Sequence, residues 1–291
     1  MNGGFPARPD FLPPLDGLGA LAGAEVAMTG QRGVLGALVC AALAAGGARV
    51  QGYAGDVDDG QQLTHWLAGL EARYVFHFAA RVPVAAVDAD PLAAYQTNAI
   101  GTWNLCRALV QRGRPAWLFH CSTSHVYAPS DGGALPESAP TVPATWYGTT
   151  KLAAERIVAD VLTRSGIPWC IGRVFSYTHA SQRPPYLVPS LRERITALPA
   201  GGALELRNAS AVRDLLDGAH VAEAILLLAR AGATGIVNIG SGAPLRVREI
   251  ALAVARETGR ELRVLGDDRD PGGALVADTH RLRQLLGAPP P

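Results

Sequence analysis

Short apolar runs alternate with longer helical patterns over the first 175 residues of the chain. The apolar runs, each the length of a strand, cover 26–28, 48–53, 73–78, 116–121 and 168–175. The helical patterns cover the stretch that ends near 45, then 61–70, 91–112 and 144–165. Strands that alternate with helices in this way pair in parallel and are joined by crossover helices. The pattern therefore predicts an α/β fold with a doubly wound parallel sheet and helices on both faces.

The alternation of strand and helix patterns becomes less regular after residue 175, and the prolines within 181–189 predict a loop there. Shorter candidates follow, namely helices at 191–198 and 220–231 and strands at 203–207, 235–240 and 262–265. We predict one α/β domain over 25–175 and a smaller C-terminal lobe over 176–291, with an interleaved boundary between them. Residues 1–24 are rich in Pro and Gly and carry little charge, which predicts a loosely held N-terminal leader.

Composition excludes several classes of function. The 26 basic and 25 acidic residues give a net charge of +1 without a basic stripe, so no nucleic-acid partner is expected. No run reaches the roughly 18 apolar residues of a membrane helix, and no secretory signal pattern opens the chain. We therefore expect a cytoplasmic protein without a membrane partner. The cysteines are spaced too widely for a metal site and predict buried thiols: Cys40, Cys106, Cys121 and Cys170.

The chain has a single lysine, Lys151, four residues after Tyr147. Residues four apart on a helix share one face, so the ammonium is expected to approach the phenol. A nearby cation favours phenolate and lowers the pKa of tyrosine, which predicts a general acid/base at Tyr147. A chance spacing is the alternative interpretation of the pair.

A glycine turn follows the first predicted strand and opens the first helix. Gly30, Gly33 and Gly36 have the spacing that allows a tight turn, a close approach to a pyrophosphate and close packing of helix on sheet. The amides at the start of the helix then face the anion. The turn predicts a dinucleotide-binding site over 30–36.

The residues near the second strand indicate which dinucleotide binds. Ala54 stands where NAD-binding folds place an acidic residue that bonds the ribose hydroxyls. Arg32, inside the glycine turn, has the geometry to meet a 2′-phosphate. We therefore predict NADP, with NAD as the alternative. Asp56 is a rival ribose ligand, and a solvated turn arginine is the plain interpretation of Arg32.

Several motifs in order resemble the extended short-chain dehydrogenase/reductases. These motifs are the glycine turn, 77–80, 97–102, 122–127, Tyr147 with Lys151, 173–176, 212–217 and 238–242, and together they span about 25–290. Members of that family epimerise, dehydrate or reduce nucleotide-linked sugars. The resemblance implies a Rossmann-like cofactor domain and a small C-terminal substrate lobe.

The resemblance also implies roles for individual residues. Tyr147 corresponds to the acid/base, Lys151 to the lysine that also bonds the nicotinamide ribose, and Thr123 to the hydroxyl that holds the reacting sugar oxygen. Cofactor contacts are implied for the glycine turn with Val34 and Leu35, and for Asp56, Val57, Phe78, Ala79, Ala80, Asn98 and Val174. Substrate contacts are implied for Thr123, Ser124, Ser176 and Arg213.

Three of these motif positions have competing interpretations. Ser176 stands where the family often has Asn, so a substrate contact is expected to differ there. Arg213 matches an arginine that contacts the nucleotide diphosphate, or else forms an ion pair with Asp214 or Asp217. His125 is a candidate proton donor or a packed histidine.

The resemblance also bears on the reaction. Related sugar 4,6-dehydratases carry an Asp-Glu pair where this chain has Ser124 and His125, which argues against a dehydratase. The short region between the second and third strands, the Gly-x-Arg-Gly turn and the stretch 172–195 are similar to 4-keto-reductases. We predict NADP-dependent reduction of a keto group on a nucleotide-linked deoxysugar.

Two alternatives remain, an NAD-dependent nucleotide-sugar 4-epimerase and a dinucleotide-binding protein without turnover. The resemblance also favours a homodimer that pairs the helices 91–112 and 144–165.

Overall fold

The computed structural model describes residues 7–199, 201–266 and 273–288. The strands, in chain order, are β1 Glu25–Thr29, β2 Arg49–Tyr53, β3 Tyr74–His77, β4 Trp117–Thr123, β5 Trp169–Val174, β6 Ser176–Thr178, β7 Ala203–Leu206, β8 Val212–Asp217, β9 Gly235–Ile239, β10 Pro244–Arg246, β11 Arg263–Gly266 and β12 Ala274–Leu275. The α-helices are α1 Val34–Ala45, α2 Gly60–Ala68, α3 Val84–Ala89, α4 Pro91–Tyr95, α5 Gly101–Arg112, α6 Trp146–Arg164, α7 Leu187–Thr196, α8 Gly218–Arg230, α9 Val247–Glu257 and α10 His280–Leu285.

Six parallel strands form the main sheet in the order β2-β1-β3-β4-β5-β9. Helices α1 and α8 pack together in the core on one face, and α2, α5 and α6 pack on the other. The predicted doubly wound sheet is therefore confirmed. The strand order reverses between β1 and β3, and a ligand cleft is expected at the carboxyl ends of the strands at such a switch point.

The last part of the main sheet comes from beyond residue 175. Strand β9 pairs with β5, and α8 packs on α1. Both elements were predicted as secondary structure and were assigned to the C-terminal lobe. The sheet needs them because β9 covers the edge of β5, whose residues are nearly all buried.

The C-terminal lobe contains β8 with β10 and β12, and the helices α7 and α9, which share an apolar core. The predicted loop over 181–189 is wrong at its end because α7 begins at Leu187 and includes Pro189. Proline is tolerated there since the first turn of a helix leaves its N–H groups without intrahelical partners. Helix α9 was not predicted.

The prediction of a loosely held leader is wrong for residues 11–21. Phe11, Leu12, Leu18 and Leu21 are buried in the same core as α1 and α8. The few apolar side chains between the prolines hold this segment against the domain, because burying the apolar surface of each one stabilises the folded state.

Candidate active site

A cavity of about 710 Å³ opens at the switch between β1 and β3. Most of the predicted site residues line it, namely Gly30, Gly33, Val34, Leu35, Gly36, Phe78, Ala80, Thr123, Ser124, Tyr147, Lys151, Val174, Ser176 and Arg213. The fold thus brings together residues that lie up to 183 positions apart, from Gly30 to Arg213.

Five predicted cofactor residues do not line this cavity: Arg32, Asp56, Val57, Ala79 and Asn98. Asn98 is buried and bonds the backbone of residue 81 and the hydroxyl of Thr150, so it braces the loop after β3 against α6. Val57 is buried beneath Gly101, where it leaves no room for a Cβ.

The glycine turn is built for close approach. Gly30 has a φ of +74°, and a Cβ there would collide with the backbone of Phe78 and Ala79. A Cβ at Gly36 would collide with the carbonyl of Gly30. Helix α1 begins at Val34, and no side chain of the described residues caps its start. Its first amides therefore face the cavity, an arrangement that fits a pyrophosphate.

No carboxylate follows β2 at the position where an acidic residue would bond the ribose, because Ala54 comes directly after Tyr53. Arg32 is exposed at the turn. The side chain of Gln31 lies across the end of β2 and donates a hydrogen bond to the carbonyl of Tyr53 at 3.0 Å. This end of the cleft therefore presents an amide and a guanidinium.

Thr123, Tyr147 and Lys151 meet in the cavity from two elements. Thr123 is the last residue of β4. Tyr147 and Lys151 lie in the first turns of α6, whose start is capped by the hydroxyl of Thr145, which accepts from the amide of Gly148. The hydroxyl of Thr123 lies near enough to the phenol of Tyr147 to lower its pKa. Two oxygen donors thus lie at one point of the cavity wall.

The predicted effect of Lys151 on Tyr147 is wrong. Burial raises the pKa of Tyr147, and the nearby hydroxyl of Thr123 offsets only part of that shift. The Lys151 ammonium, 2% exposed, instead donates to Nε2 of His120 at 3.3 Å. The shift in the pKa of Tyr147 comes mainly from loss of hydration, because the phenol packs against protein. The ammonium of Lys151 has another partner, His120.

Sequence reasoning missed His120 as the partner of Lys151. His120 lies opposite His77 on the neighbouring strand, and their ring centroids are 5.2 Å apart. Burial, with Lys151 nearby, lowers the pKa of His77 to about 3 and that of His120 well below its usual value. Both rings are therefore neutral at pH 7, and Nε2 of His120 is free to accept from the ammonium. The facing histidines on two buried strands were the available signal.

A buried ion pair between α6 and β5 lies next to the site. Arg173 on β5 bonds Glu155 on α6 at 2.7 Å, and the two side chains are 4% and 3% exposed. Ser122 donates to the same carboxylate, and the guanidinium also donates to the hydroxyl of Tyr127 at 2.8 Å. Burial opposes the charge of Arg173, but Glu155 outweighs it and the pKa of Arg173 is raised. The pair ties β4, β5 and α6 together one helical turn from Lys151.

Arg213 faces the cavity as a cation. Its guanidinium donates to the carbonyls of residues 212 and 273. The alternative ion pairs do not form, because Asp214 accepts from the amides of residues 241, 242 and 277 and Asp217 caps α8. Among the described residues no carboxylate pairs with this half-buried guanidinium, an arrangement that fits an anionic ligand.

The far wall of the cavity was missed by sequence reasoning. It comes from the loop after β3 and from the segment before α7, with Val82, Pro83, Tyr177, Gln182 and Tyr186 among its residues. Prolines had marked the second segment as a loop, which gave no sign of chemistry.

Two negative findings apply to the described part of the chain. No group of three or more His, Cys, Asp or Glu residues there is placed to hold a metal ion. No helix there is long and apolar enough to cross a membrane.

Comparison with known proteins agrees with this geometry. The profile of the NAD dependent epimerase/dehydratase family matches residues 26–240. UDP-glucose 4-epimerase of Rhizobium meliloti is 30% identical over 257 residues, which is 81% of this chain and 78% of that protein. GDP-6-deoxy-D-mannose reductase of Pseudomonas aeruginosa is 29% identical over 72% of this chain and 70% of that protein.

Solved structures show the same fold. RMD from Pseudomonas aeruginosa complexed with NADPH superimposes with a TM-score of 0.81 at 26% identity and covers 92% of both chains. UDP-glucose 4-epimerase of Thermus thermophilus complexed with NAD superimposes with a TM-score of 0.80 at 24% identity, over 91% of this chain and 94% of that one. The predicted resemblance is confirmed: the chain belongs to the NAD dependent epimerase/dehydratase family and is an extended short-chain dehydrogenase/reductase.

Proposed function

We propose that this enzyme reduces a keto group on a nucleotide-linked deoxysugar with NADPH. The observation that carries the proposal is the meeting of Thr123, Tyr147 and Lys151 with the glycine turn in one cavity. When bound, the nicotinamide dinucleotide supplies the hydride. The turn at Gly30 and the first amides of α1 hold its pyrophosphate.

Tyr147 gives its proton to the alkoxide that forms as the keto group is reduced. Its raised pKa keeps the phenol protonated at neutral pH, which is the state that a proton donor needs. Thr123 donates a second hydrogen bond to the same oxygen and supports the developing negative charge. Lys151, held by His120, places a positive charge beside the reacting centre.

The substrate is proposed to be a nucleotide sugar because Arg213 offers a guanidinium to its diphosphate. Ser124 and Ser176 lie on the same wall and are proposed to contact the sugar. The absence of an acidic pair at Ser124 and His125 disfavours dehydration, which needs one group to remove a proton and another to protonate the leaving hydroxyl.

NADP is proposed over NAD because Arg32 is exposed at the turn and alanine follows β2. A guanidinium bonds a 2′-phosphate, whereas a carboxylate at the end of β2 would repel it. The relative solved with NADPH is consistent with this choice.

A second candidate, an NAD-dependent 4-epimerase, is favoured by the Rhizobium relative, which aligns over most of this chain. The two reactions use the same tyrosine and differ in whether reduced cofactor is consumed. An epimerase regenerates its cofactor in each turnover, whereas a reductase consumes one equivalent for each sugar.

The test is cofactor consumption with the 4-keto forms of GDP-6-deoxymannose and dTDP-6-deoxysugars, and interconversion of UDP-glucose with NAD, measured side by side. Stoichiometric loss of NADPH with a keto sugar supports the reductase. Conversion of UDP-glucose without net loss supports the epimerase. If the protein binds dinucleotide but catalyses neither reaction, it is a binding protein without turnover.

We also propose that two copies pair through α5 and α6. Ile100, Trp103, Val110 and Trp146 are large apolar side chains exposed on or beside these two helices, and covering such a row gains free energy. Sedimentation of the protein should show a dimer, and Trp103→Glu should give monomers. A wild-type monomer at high concentration would refute the pairing.

A further inference from the structure

We propose that His120 is a positioning residue that keeps Lys151 charged and thereby sets the alkaline limit of the reaction. Without the imidazole, Lys151 would lose its proton at a lower pH and the site would lose its cation there. This inference rests on the proposed function, since the charge of Lys151 affects turnover only if Tyr147 protonates an alkoxide beside it.

The contact between His120 and Lys151 joins two rigid elements. His120 lies on β4 and is fully buried, and Lys151 lies on α6 and is 2% exposed. Nζ of the lysine is 3.3 Å from Nε2 of the imidazole. Among the described residues, this is the one hydrogen bond that Nζ makes. The imidazole therefore places the ammonium at the wall of the cavity.

The two buried histidines of the sheet use their ring nitrogens differently. Threonine hydroxyls lie 2.6 and 2.9 Å from the ring nitrogens of His77. An ammonium only donates, so Nε2 of His120 carries the lone pair and Nδ1 carries the proton. Within the described part of the chain, that Nδ1 is buried without a partner. A buried N–H without a partner is unfavourable, which indicates that His120 serves its contact with Lys151 and not packing alone.

Burial works against the charge of Lys151. It lowers the pKa of the ammonium, while Cys121 and Glu155 act in the opposite direction. Burial raises the pKa of the Cys121 thiol to about 11, so the thiol is neutral at pH 7 and gives no support there. The carboxylate of Glu155, one turn along α6, is engaged by Arg173 on β5. A hydrogen-bond acceptor at Nζ favours the charged form of the lysine directly, and His120 supplies it.

Lys151 is the group of the site that changes charge first as the pH rises. Burial, with Lys151 and His77 nearby, lowers the pKa of His120 well below its usual value, so the imidazole stays neutral and can accept. Burial raises the pKa of Tyr147, so the phenol keeps its proton at alkaline pH. The alkaline limit of reduction is therefore set by the ammonium, whose loss removes the positive charge beside the forming alkoxide.

The single lysine of the chain allows a direct test. Protein grown with ¹³C-labelled lysine gives one side-chain signal, and the shift of its ε-carbon follows the charge of Lys151 as the pH is raised, without cofactor. In His120→Leu, the midpoint of this titration should lie about one pH unit below that of the wild-type protein. A charge-assisted hydrogen bond corresponds to a factor of about ten in the ionisation constant.

Two further variants separate the contact from the loss of a buried ring. His120→Gln keeps an acceptor near Nζ and should recover part of the lost shift. His77→Leu is the matched control, because it removes a buried histidine of the neighbouring strand whose hydrogen bonds go to threonines. It should leave the midpoint of Lys151 unchanged.

The same variants connect the charge of Lys151 to turnover. The rate of keto-sugar reduction with NADPH is measured against pH for each of them. In His120→Leu, the fall of the rate on the alkaline side should begin about one pH unit lower than in the wild-type protein, matching the NMR midpoint. In His77→Leu, the position of this fall should be unchanged.

Equal NMR midpoints in the wild-type protein and His120→Leu would overturn the inference and leave the proposed function standing. A lower midpoint without a matching shift of the rate profile would overturn the link to turnover. Absence of reduction with any keto sugar would overturn the proposed function, while the NMR midpoints would still decide whether His120 holds the charge.

A measurement on the wild-type protein applies if His120→Leu does not fold. Long-range ¹H–¹⁵N NMR of labelled histidine should show Nδ1 of His120 protonated and Nε2 unprotonated at neutral pH. The reverse pattern would overturn the inference, because a protonated Nε2 cannot accept from the ammonium.

Discussion

Removing one partner of the buried Glu155–Arg173 pair should destabilise the whole fold. The guanidinium bonds the carboxylate at 2.7 Å, and both side chains are at least 96% buried. Glu155→Leu would leave the positive charge without its partner in a region of low polarity. A buried pair broken in this way costs about 3–5 kcal/mol, which corresponds to a fall of about 10 °C in Tm for a chain of this size.

The expected cost comes from the unpaired charge, so replacing both partners should cost less than the sum of the two single changes. In the double variant Glu155→Leu/Arg173→Met, the hydroxyl of Ser122 and the carbonyl of Glu137 lose their partners, while the hydroxyl of Tyr127 still donates to Asn238. The matched control is Asp160→Asn, one turn further along α6. It breaks an exposed pair with Arg164, and such pairs contribute less than about 1 kcal/mol.

The four variants, Glu155→Leu, Arg173→Met, the double variant and Asp160→Asn, are unfolded in urea and followed by circular dichroism. The slope m, the dependence of the free energy of unfolding on urea concentration, is compared among them to confirm that the same surface is exposed on unfolding. A loss of stability in Glu155→Leu no greater than that in Asp160→Asn would contradict the expected cost of the unpaired charge. A double variant as unstable as the two single changes added together would contradict it as well.

Three further predictions address the cofactor cleft and the histidines. Arg32→Ala should weaken NADPH binding about tenfold and leave NADH binding unchanged in titration calorimetry, since one charge-assisted hydrogen bond is lost; an equal loss for both cofactors would contradict the role of Arg32. Gly30→Ala should abolish dinucleotide binding because of the clash and its φ of +74°, whereas Gly113→Ala, which also has a positive φ of +63° but lies outside the cavity, should retain it. His77 and His120 are neutral when folded and gain protons on unfolding below about pH 6.5. As the pH is lowered from there, the free energy of unfolding should fall by about 1.4 kcal/mol per pH unit for each ring, down to about pH 3 for His77. His120→Leu should remove about half of that slope, and an unchanged slope would show that His120 is not buried neutral.

The sequence was most informative where periodicity and backbone geometry act locally. The turn at Gly30 could be predicted because a positive φ and a close approach both require glycine there. The pairing of Tyr147 with Thr123 could be placed through ordered motifs, since the chain order of an α/β fold sets which strand ends meet.

The remainder depends on contacts between distant segments. The partner of Lys151 is His120, a residue 31 positions earlier on another strand, and no local pattern identifies that contact. The burial of Phe11 among prolines and the start of α7 at Leu187 likewise follow from the surface that each segment meets. The pKa of Tyr147 was predicted in the wrong direction because burial depends on the whole fold, whereas the spacing to Lys151 is local.

In the proposed mechanism, Tyr147 exchanges a proton with a sugar oxygen while a dinucleotide lies in the same cavity. The most direct measurement is single-turnover reduction of a nucleotide-linked keto sugar by wild-type protein and Tyr147→Phe, with NADPH affinity measured on both. We expect Tyr147→Phe to lower the rate by a factor of about 100 or more with little change in NADPH affinity. A near-normal rate in Tyr147→Phe would contradict it.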